Sequence, residues 1–322
     1  MSLNIGIIMG GYSKEFDISL KSGEVVYNVL SKKFNCFKIH ILKNEWFYID
    51  NVNQKFELNK KDFSIINKPE IKFDCIFNAI HGSPGEDGIM QKYFSKLNIP
   101  ITGCDTEQSE LTFDKIKCLE FLKKSGIKTS NSLALNKETD INLKEIENKI
   151  GFPCFIKASK SGSSFGVFKV YNQKELLRCL TSAFKIDNDI LIETYIEGRE
   201  FSIGVINYEN DIKVLPITEI ITSNDFFDYE AKYEGKAKEI TPAKIDKELK
   251  NRLEKISKKI YLLIDLKGFS RSEFIVNNEG IYYLETNTIP GLTNESILPQ
   301  QAKCADISLE ELFVNSIYEV IK

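Results

Sequence analysis

The sequence predicts an α/β protein, with α+β character in its C-terminal half. Strand and helix patterns alternate over residues 1–105, which is typical of a parallel sheet covered by helices. Beyond that region, strands are joined by short polar turns at "ASKSGSSFG" and at "NNEG", which is typical of antiparallel hairpins. A length of 322 residues leaves room for two or three domains.

The N-terminal region begins with a buried strand at "NIGIIMGG" and a helix at "SLKSGEVVYNVLSKK", where apolar residues recur at helical spacing. Strands follow at "CFKIHIL" and "FDCIFNAIHG", then a helix at "GIMQKYFSKLN" and a short strand at "IPITG". The strand ends at "MGGYSKE" and "HGSPGEDG" are expected at one edge of the parallel sheet. Sheets of this kind bind ligands at that edge.

The second region opens with one predicted helix over "TEQSELTFDKIKCLEFLKKSGI". Strands at "PCFIKASK" and "FGVFKV" flank a turn, and a helix at "NQKELLRCLTSAFK" follows. The stretch "DILIETYIEGREFSIGVIN" predicts a strand that turns and runs back, and "KVLPITEI" predicts another strand. After the long polar loop "SNDFFDYEAKYEGKAKEITPA" come a helix at "IDKELKNRLEKISKKIYLLID" and the strand pair "GFSRSEFIVNN" and "GIYYLETNTIPG".

Composition narrows the class of protein. The formal net charge is -3, so no global positive field marks a nucleic-acid binder. The apolar runs are far shorter than the roughly 20 residues of a membrane span. The 7 cysteines are scattered and lack C-x-x-C spacing, which favours reduced thiols over disulfides or zinc ligands. We therefore expect a soluble cytoplasmic protein that binds neither nucleic acid nor membranes.

A turn rich in glycine and serine lies between two strands in "FIKASKSGSSFGVFKV". Glycines allow close backbone approach, and bare N–H groups can surround an anion. Lys157 and Lys169 supply positive charge on either side. The pattern favours a flap over a triphosphate, and a polar turn without function is the alternative. It is not a P-loop, because no Lys-Ser or Lys-Thr follows the glycines and the chain continues as a strand.

The hairpin "SRSEFIVNNEGIYYLETNTIPG" gathers oxygen ligands on one face. Glu285 and Asn287 are two residues apart on its second strand, so they share a face. A turn at residues 277–280 can place Glu273 opposite them, and Arg271 falls on the same face as Glu273. Carboxylate and amide oxygens suit magnesium that is held together with phosphate. Solvated residues on an outward face are the alternative.

Over nearly the whole chain, and in the right order, the sequence is similar to ATP-grasp enzymes and, more narrowly, to D-alanine–D-alanine ligases. The fragments that carry the resemblance are "GGYSKEFDISL", "HGSPGEDGIMQ", "IPITGC", "DKIKC", "IKASKSGSSFGVFKV", "LIETYIEGREF", "FDYEAKY", "SRSEF" and "LETNTIPGLTNESILP". The resemblance implies an N-terminal parallel α/β domain at 1–105, a central ATP-grasp domain at 106–193 and a C-terminal ATP-grasp domain with the metal site at 194–322. ATP would lie between the antiparallel sheets of the last two.

The resemblance also implies a reaction and a nucleotide site. ATP would phosphorylate the carboxylate of one D-alanine, and the amine of a second would displace the phosphate to give a dipeptide for peptidoglycan synthesis. Two Mg²⁺ ions, or Mn²⁺ in their place, would bridge the ATP phosphates. The residues implied at ATP are Lys115 and Lys157 at the phosphates, Ser163 and Ser164 in the flap, Glu193 at the adenine, Glu200 at the ribose and Lys232 on the closing loop. The implied metal ligands are Glu273, Glu285 and Asn287.

The amino acid site is implied in the same way. Glu15 would receive the ammonium of the first D-alanine, while His81 would lie by the second and Ser296 would hold its carboxylate. The other implied residues are Arg271 and the backbone N–H of Gly291 at the oxyanion, and Ser163 and Tyr233 in a hydrogen-bond network with Glu15.

Three positions depart from the family's usual pattern. Glu273 stands where aspartate is common, so this metal ligand reaches one methylene further. Phe16 replaces a common arginine, and Ala158 replaces a common proline. None of the three changes removes a required functional group.

Two alternatives stand beside a D-alanine–D-alanine ligase. One is an ATP-grasp ligase with another acceptor, such as D-lactate, D-serine or a peptide. Tyr233 argues against D-lactate, because lactate-using relatives generally lack this tyrosine. The other is a binding module that uses "GIIMGGYSKE" as a dinucleotide loop, but that stretch lacks G-x-G-x-x-G. D-alanine and ATP are thus the expected partners, and a homodimer is the family's habit.

Overall fold

The structure, a computed structural model, describes residues 2–222 and 237–321. The strands are β1 (Asn4–Gly10), β2 (Asn35–Ile41), β3 (Trp46–Ile49), β4 (Lys55–Glu57), β5 (Cys75–Asn78), β6 (Ser132–Asn136), β7 (Cys154–Ala158), β8 (Val167–Val170), β9 (Asp189–Thr194), β10 (Arg199–Tyr208), β11 (Asp211–Val214), β12 (Thr218–Thr222), β13 (Ala237–Ile240), β14 (Phe269–Asn277) and β15 (Gly280–Asn287). The helices are α1 (Phe16–Leu30), α2 (Ile89–Leu97), α3 (Thr106–Phe113), α4 (Lys115–Lys124), α5 (Leu143–Ile150), α6 (Gln173–Ala183), α7 (Lys247–Ile264), α8 (Ile297–Cys304) and α9 (Leu309–Val320).

The N-terminal sheet has the strand order β4-β3-β2-β1-β5. β1 pairs in parallel with β2 and with β5, as predicted. β3 and β4, which the sequence analysis did not predict, add to the edge of β2 in antiparallel fashion, so the sheet is mixed around a parallel centre. The two added strands are short and follow their neighbours through tight connections, which allow antiparallel pairing without a crossover helix. The predicted strand at "IPITG" contributes a single bridge, from Ile101 to Ile76.

Two antiparallel sheets make up the second half of the chain, as predicted. One has the order β6-β9-β7-β8, and the other has the order β13-β12-β10-β14-β15 with β11 paired to β10. β9 and β10, which were predicted to run back along each other, lie in different sheets. The segment between them therefore crosses from one sheet to the other instead of forming a hairpin.

The predicted single helix after residue 105 is two helices. α3 ends at Phe113 and α4 begins at Lys115, because Asp114 adopts an extended backbone conformation and caps α4. The Asp114 carboxylate accepts the Lys117 N–H at 3.3 Å and the Ser159 hydroxyl at 2.8 Å. The break places Lys115 at the first position of α4, beside the strand β7.

One hydrophobic core joins the two ends of the chain. It contains residues of β1 and α1 together with residues of α8 and α9. Phe77 of the N-terminal sheet and Phe313 of the last helix are both fully buried, with ring centroids 5.4 Å apart at an interplanar angle of 72°. The last helix therefore stabilises the first sheet. Among the described residues, no helix has the length and apolar character needed to span a membrane.

Candidate active site between the two antiparallel sheets

A cavity of about 500 Å³ lies between the two antiparallel sheets. Lys157 and Glu193 line it from the smaller sheet, and Glu200, Glu273 and Glu285 line it from the larger one. Apolar side chains such as those of Ile220, Ile275 and Leu284 make up another part of its wall. A cavity lined by both apolar and charged side chains suits a molecule with a flat ring and an anionic tail.

A buried ion pair stands inside this cavity. The Lys157 ammonium lies 2.7 Å from Glu193 Oε2, and the Ser130 hydroxyl donates to Glu193 Oε1. Burial alone would lower the pKa of Lys157, but the charge of Glu193 opposes it and raises the pKa above its usual value. Lys157 is therefore protonated and forms an ion pair with Glu193, the residue that was predicted at the adenine.

The predicted carboxylate hairpin forms, with a shift in its register between Glu273 and Phe274. Glu273 on β14 lies directly opposite Glu285 on β15, and Arg271 lies opposite Asn287. The Arg271 guanidinium contacts Glu273 and donates to the Ser202 hydroxyl at 2.9 Å. The Lys115 ammonium is 3.7 Å from Glu285 Oε2, so a cationic and an anionic group lie side by side in the cavity wall.

This donor set fits a magnesium ion. In the described parts of the chain, no three His, Cys, Asp or Glu side chains form a metal cluster by themselves. Glu273, Glu285 and Asn287 offer two carboxylates and an amide, and a hard cation would need further oxygen ligands. Magnesium in protein sites usually takes such ligands from water and from phosphate. The residues therefore match a cation that arrives with a nucleotide.

The flap between β7 and β8 reaches the N-terminal sheet. The Ser163 hydroxyl donates to Glu15, whose side chain is largely buried. Gly162 lies so close that a Cβ built on it would stand 2.5 Å from Glu15 Oε2. Ser163 and Ser164 have φ of 49° and 57°, which is uncommon outside glycine and shows that the turn is held in a particular shape. The flap thus closes against Glu15, as predicted for a network that contains both residues.

His81 is buried, and both of its ring nitrogens are engaged within the protein. Nδ1 lies 2.8 Å from the carbonyl oxygen of Ile289, and Nε2 lies 2.8 Å from the Ser22 hydroxyl. Burial lowers the pKa of His81, against the opposing charge of Glu15. His81 is thus placed to hold the segment after β15 and is neutral over most of the physiological pH range.

Glu86, which the sequence did not single out, lies in the same buried cluster. Its carboxylate accepts the N–H of Gly82 at 3.0 Å and the N–H of Ile289 at 3.2 Å. Burial, reinforced by the charge of Glu15, raises the pKa of Glu86 to about 8. Glu86 lies within "HGSPGEDG", and an acid in a glycine-rich turn at a strand end was the signal that could have found it.

Gly291 and Ser296 face each other after β15. A Cβ on Gly291 would stand 2.7 Å from the Ser296 oxygen, so a side chain at position 291 would displace that hydroxyl. Ser296 precedes the first residue of α8, and its hydroxyl lies 2.8 Å from that of Thr293. A hydroxyl at a helix N-terminus is a suitable group for a carboxylate.

The structure brings most of the predicted site residues to two adjoining regions. The residues that line the large cavity are Lys115, Lys157, Ser164, Glu193, Glu200, Glu273 and Glu285. A second, smaller cavity of about 460 Å³ lies beside Glu15, Gly82 and Ser163. Lys232 and Tyr233 lie outside the described residues. Ser22 and Ser130 were not predicted, because a single serine on a helix or before a strand carries no sequence signal.

Comparison with known proteins matches both halves of the chain to the same family. A family model described as the D-ala D-ala ligase N-terminus matches residues 4–104, and one described as the D-ala D-ala ligase C-terminus matches residues 121–318. The chain is 56% identical over 316 residues to a D-alanine–D-alanine ligase of Flavobacterium johnsoniae, which covers 98% of both chains. It is 46% identical over 319 residues to one of Christiangramia forsetii, again over 98% of both chains.

Solved structures resemble the whole chain as well. The D-Ala:D-Ser ligase VanG of Enterococcus faecalis superposes with a TM-score of 0.87 at 31% identity, over 99% of this chain and 100% of its own. A D-alanine–D-alanine ligase of Bacillus anthracis, solved in complex with ATP, superposes with a TM-score of 0.80 at 30% identity, over 99% of this chain and 97% of its own.

Proposed function

The chain belongs to the D-alanine–D-alanine ligase family, with its ATP-grasp fold, and on that premise we propose that it joins two D-alanine molecules. The reaction consumes ATP, because the family is one of ATP-dependent, ADP-forming ligases. One molecule of ATP and two of D-alanine give D-alanyl-D-alanine, ADP and inorganic phosphate. The function that the sequence predicted is confirmed at this level.

One observation carries the proposal. The cavity between the two antiparallel sheets is lined by lysines, acids and apolar side chains, and the small gap beside it is lined by Gly162, which closely approaches Glu15. Lys115 and Ser161 line both the large cavity and the small gap that leads to Glu86 and Asn287. A phosphate bound at Lys115 would therefore lie next to a carboxylate held beside Glu15.

The chemistry follows from these positions. Glu15 would hold the ammonium of the first D-alanine, so that its carboxylate points at the terminal phosphate of ATP. Lys115 and Lys157 would hold the phosphates. When the second amine attacks the acyl phosphate, negative charge grows on the carbonyl oxygen, and Arg271 and the N–H of Gly291 would stabilise that charge. The C–N bond forms, the C–O bond to phosphate breaks, and the amine gives up its proton.

The acceptor would be held at the other side of the oxyanion. Ser296, at the start of α8, would bind its carboxylate. Ser163, with Tyr233, would keep the flap closed on Glu15 and exclude water from the acyl phosphate. Ser164, Glu193, Glu200 and Lys232 would complete the nucleotide site.

Magnesium would be held by Glu273, Glu285 and Asn287. A divalent cation at this position supplies charge stabilisation to the phosphates when it is bound. Mn²⁺ could take the same ligands, since both ions prefer oxygen. We further propose a cytoplasmic enzyme of peptidoglycan synthesis that forms homodimers, with three domains at 1–105, 106–193 and 194–322.

A second candidate differs in the acceptor. The similarity to a D-Ala:D-Ser ligase over the whole chain favours D-serine as the alternative to the second D-alanine. The first half-reaction would be unchanged, because the donor carboxylate and the nucleotide site are the same.

The discriminating experiment measures ADP release with D-alanine alone and with D-alanine plus D-serine or D-lactate, with products identified by mass spectrometry. We expect D-alanyl-D-alanine as the main product, and no ADP release after removal of divalent cations. Mixed product in excess over D-alanyl-D-alanine would favour the second candidate. Activity with L-alanine alone would overturn both.

A further inference from the structure

We infer that Ser22 is a positioning residue for the oxyanion segment, defined as Ile289–Leu292, and that it acts through His81. This rests on the proposed function, because the segment contains Gly291, whose N–H is placed at the oxyanion. Ser22 lies on α1 in the N-terminal part of the chain and is fully buried. Its hydroxyl meets two groups from elsewhere: His81 Nε2 at 2.8 Å and the N–H of Leu292 at 3.2 Å.

The direction of each hydrogen bond in this cluster is fixed by chemistry. The carbonyl oxygen of Ile289 can only accept, so His81 must carry its proton on Nδ1 and donate it there. In the neutral ring Nε2 is then an acceptor, and the Ser22 O–H donates to it. The Ser22 oxygen in turn accepts the N–H of Leu292. The hydroxyl is thus used once as a donor and once as an acceptor.

This chain of hydrogen bonds holds both ends of the oxyanion segment. The carbonyl of Ile289 is bound by His81, and the N–H of Leu292 is bound by Ser22. Glu86 adds an independent contact, because it accepts the N–H of Ile289. Pro290 and Gly291 lie between these bonds, so the direction of the Gly291 N–H depends on groups from the N-terminal region of the chain.

The same geometry defines the role of His81. With both ring nitrogens occupied by Ile289 and Ser22, His81 acts on the second substrate through the segment that it holds. Loss of the Ser22 hydroxyl would leave His81 Nε2 and the N–H of Leu292 buried without partners. Groups in that state move to find partners, which turns the neighbouring peptide.

The test compares Ser22→Ala with a matched control, Ser19→Ala, in the full-length protein. Both serines are on α1, both are fully buried, and each bonds two groups outside the helix; Ser19 bonds Gly10 and Ala79. We expect Ser22→Ala to lower kcat about tenfold with the KM for ATP unchanged, because displacing an oxyanion donor should cost less than the roughly 100-fold loss caused by removing one. Ser19→Ala should keep kcat within about twofold while losing similar thermal stability.

A second readout does not depend on turnover. The chain has 2 histidines, so ¹⁵N-histidine NMR resolves them readily. The His81 ring should show the Nδ1-protonated form, and Ser22→Ala should shift its signals while Ser19→Ala leaves them in place. An Nε2-protonated ring in the wild type, or a kcat of Ser22→Ala within twofold of the control, would overturn the inference.

The outcomes also separate this inference from the proposed function. Ligation is first measured for the wild type with D-alanine and D-serine, and the better acceptor is used for the variants. A wild type that makes neither product overturns the proposed function, while the NMR result still decides whether Ser22 orients His81. If Ser22→Ala does not fold, Ser22→Cys, which keeps a weak donor in place, is measured with the same criteria.

Discussion

At the residue scale, Lys157 and Glu193 form a buried ion pair, and both belong to the proposed ATP site. Their side chains come from neighbouring strands, β7 and β9, and Glu193 is almost fully buried. Burying two charges costs free energy, which their attraction offsets only where the geometry is good. A change that removes one partner therefore leaves the other in a medium that does not solvate it.

We expect Lys157→Met to lower the free energy of unfolding by about 3–5 kcal/mol, because Glu193 is left unpaired. The double variant Lys157→Met with Glu193→Gln should recover most of this loss, yet bind ATP as poorly as the single variant. Urea denaturation and calorimetric titration with ATP measure the two effects. Lys149→Met removes an exposed pair with Glu145 and should cost less than about 1 kcal/mol. Equal losses for Lys157→Met and Lys149→Met would contradict the role of burial.

The raised pKa of Glu86 predicts how the stability of the protein depends on pH. Its pKa in the folded protein is raised from 4.5 to about 8, so between these values the folded state keeps a proton that the unfolded chain has released. Stability from this group is therefore present at low pH and is lost as the pH rises towards 8, by at most about 1.4 kcal/mol per pH unit. Glu86→Gln does not titrate. The difference in unfolding free energy, variant minus wild type, should grow as the pH rises through this window.

Thermal and urea unfolding at several pH values between these limits measure that difference. Glu138→Gln, at an exposed position, is the control for removal of one negative charge. A difference that stays constant with pH for Glu86→Gln would show that its carboxyl is not protonated in the folded protein.

At the scale of elements, the break between α3 and α4 sets the position of Lys115, which we propose contacts the ATP phosphates. Asp114 caps α4 and binds the Ser159 hydroxyl, which ties the start of the helix to the end of β7. The backbone N–H of Lys115 also donates to the carbonyl of Ser159 at 3.1 Å. The cap therefore fixes Lys115 relative to both the flap and Glu285.

We expect Asp114→Ala to lower the free energy of unfolding by about 1–2 kcal/mol and to raise the KM for ATP several-fold, because the cap and the Ser159 contact are lost together. Asn142→Ala is the matched control: Asn142 caps α5 by accepting the N–H of Glu145 at 3.2 Å, away from the cavity. Asn142→Ala should lower the free energy of unfolding by no more than Asp114→Ala does, and it should leave the KM for ATP unchanged. A KM that rises equally in both variants would point to a general loss of stability.

Elements whose contacts are local could be predicted from the sequence, and those with distant partners could not. The hairpin of β14 and β15 was predicted because "NNEG" marks its turn locally, but the register shift that brings Glu273 opposite Glu285 was not predicted. β9 and β10 were wrongly joined, since their partners β7 and β14 lie elsewhere in the chain. The buried cluster of Ser22, His81 and Glu86 was missed for the same reason, as its partners are about 200 residues or more away.

At the scale of the whole molecule, the shared core links the last helix to the first sheet. Residues of α9 are buried against β5 and α1, so the two ends of the chain stabilise each other. The chain has 1 tryptophan, Trp46, which is buried in the N-terminal sheet and reports on that sheet alone.

We expect Phe313→Ala to lower the urea midpoint reported by Trp46 fluorescence, with a loss of about 3–5 kcal/mol, although the two residues belong to different hydrophobic clusters. Circular dichroism should give the same midpoint if the sheet and the helix unfold together. Glu310→Ala, at an exposed position on the same helix, should change the free energy of unfolding by less than about 0.5 kcal/mol. A Trp46 transition that Phe313→Ala leaves in place would mean that the first sheet is stable without the last helix.

The close approach of Gly162 to Glu15 also restricts how this sequence can evolve. A methyl group at position 162 would stand 2.5 Å from a carboxylate oxygen of Glu15, so a larger residue there would require that carboxylate to move. A shorter side chain at position 15 would open the space but would lose the contact from Ser163. The two positions, 147 residues apart by their numbering, are therefore coupled, and we expect them to covary in any lineage that alters the proposed first substrate.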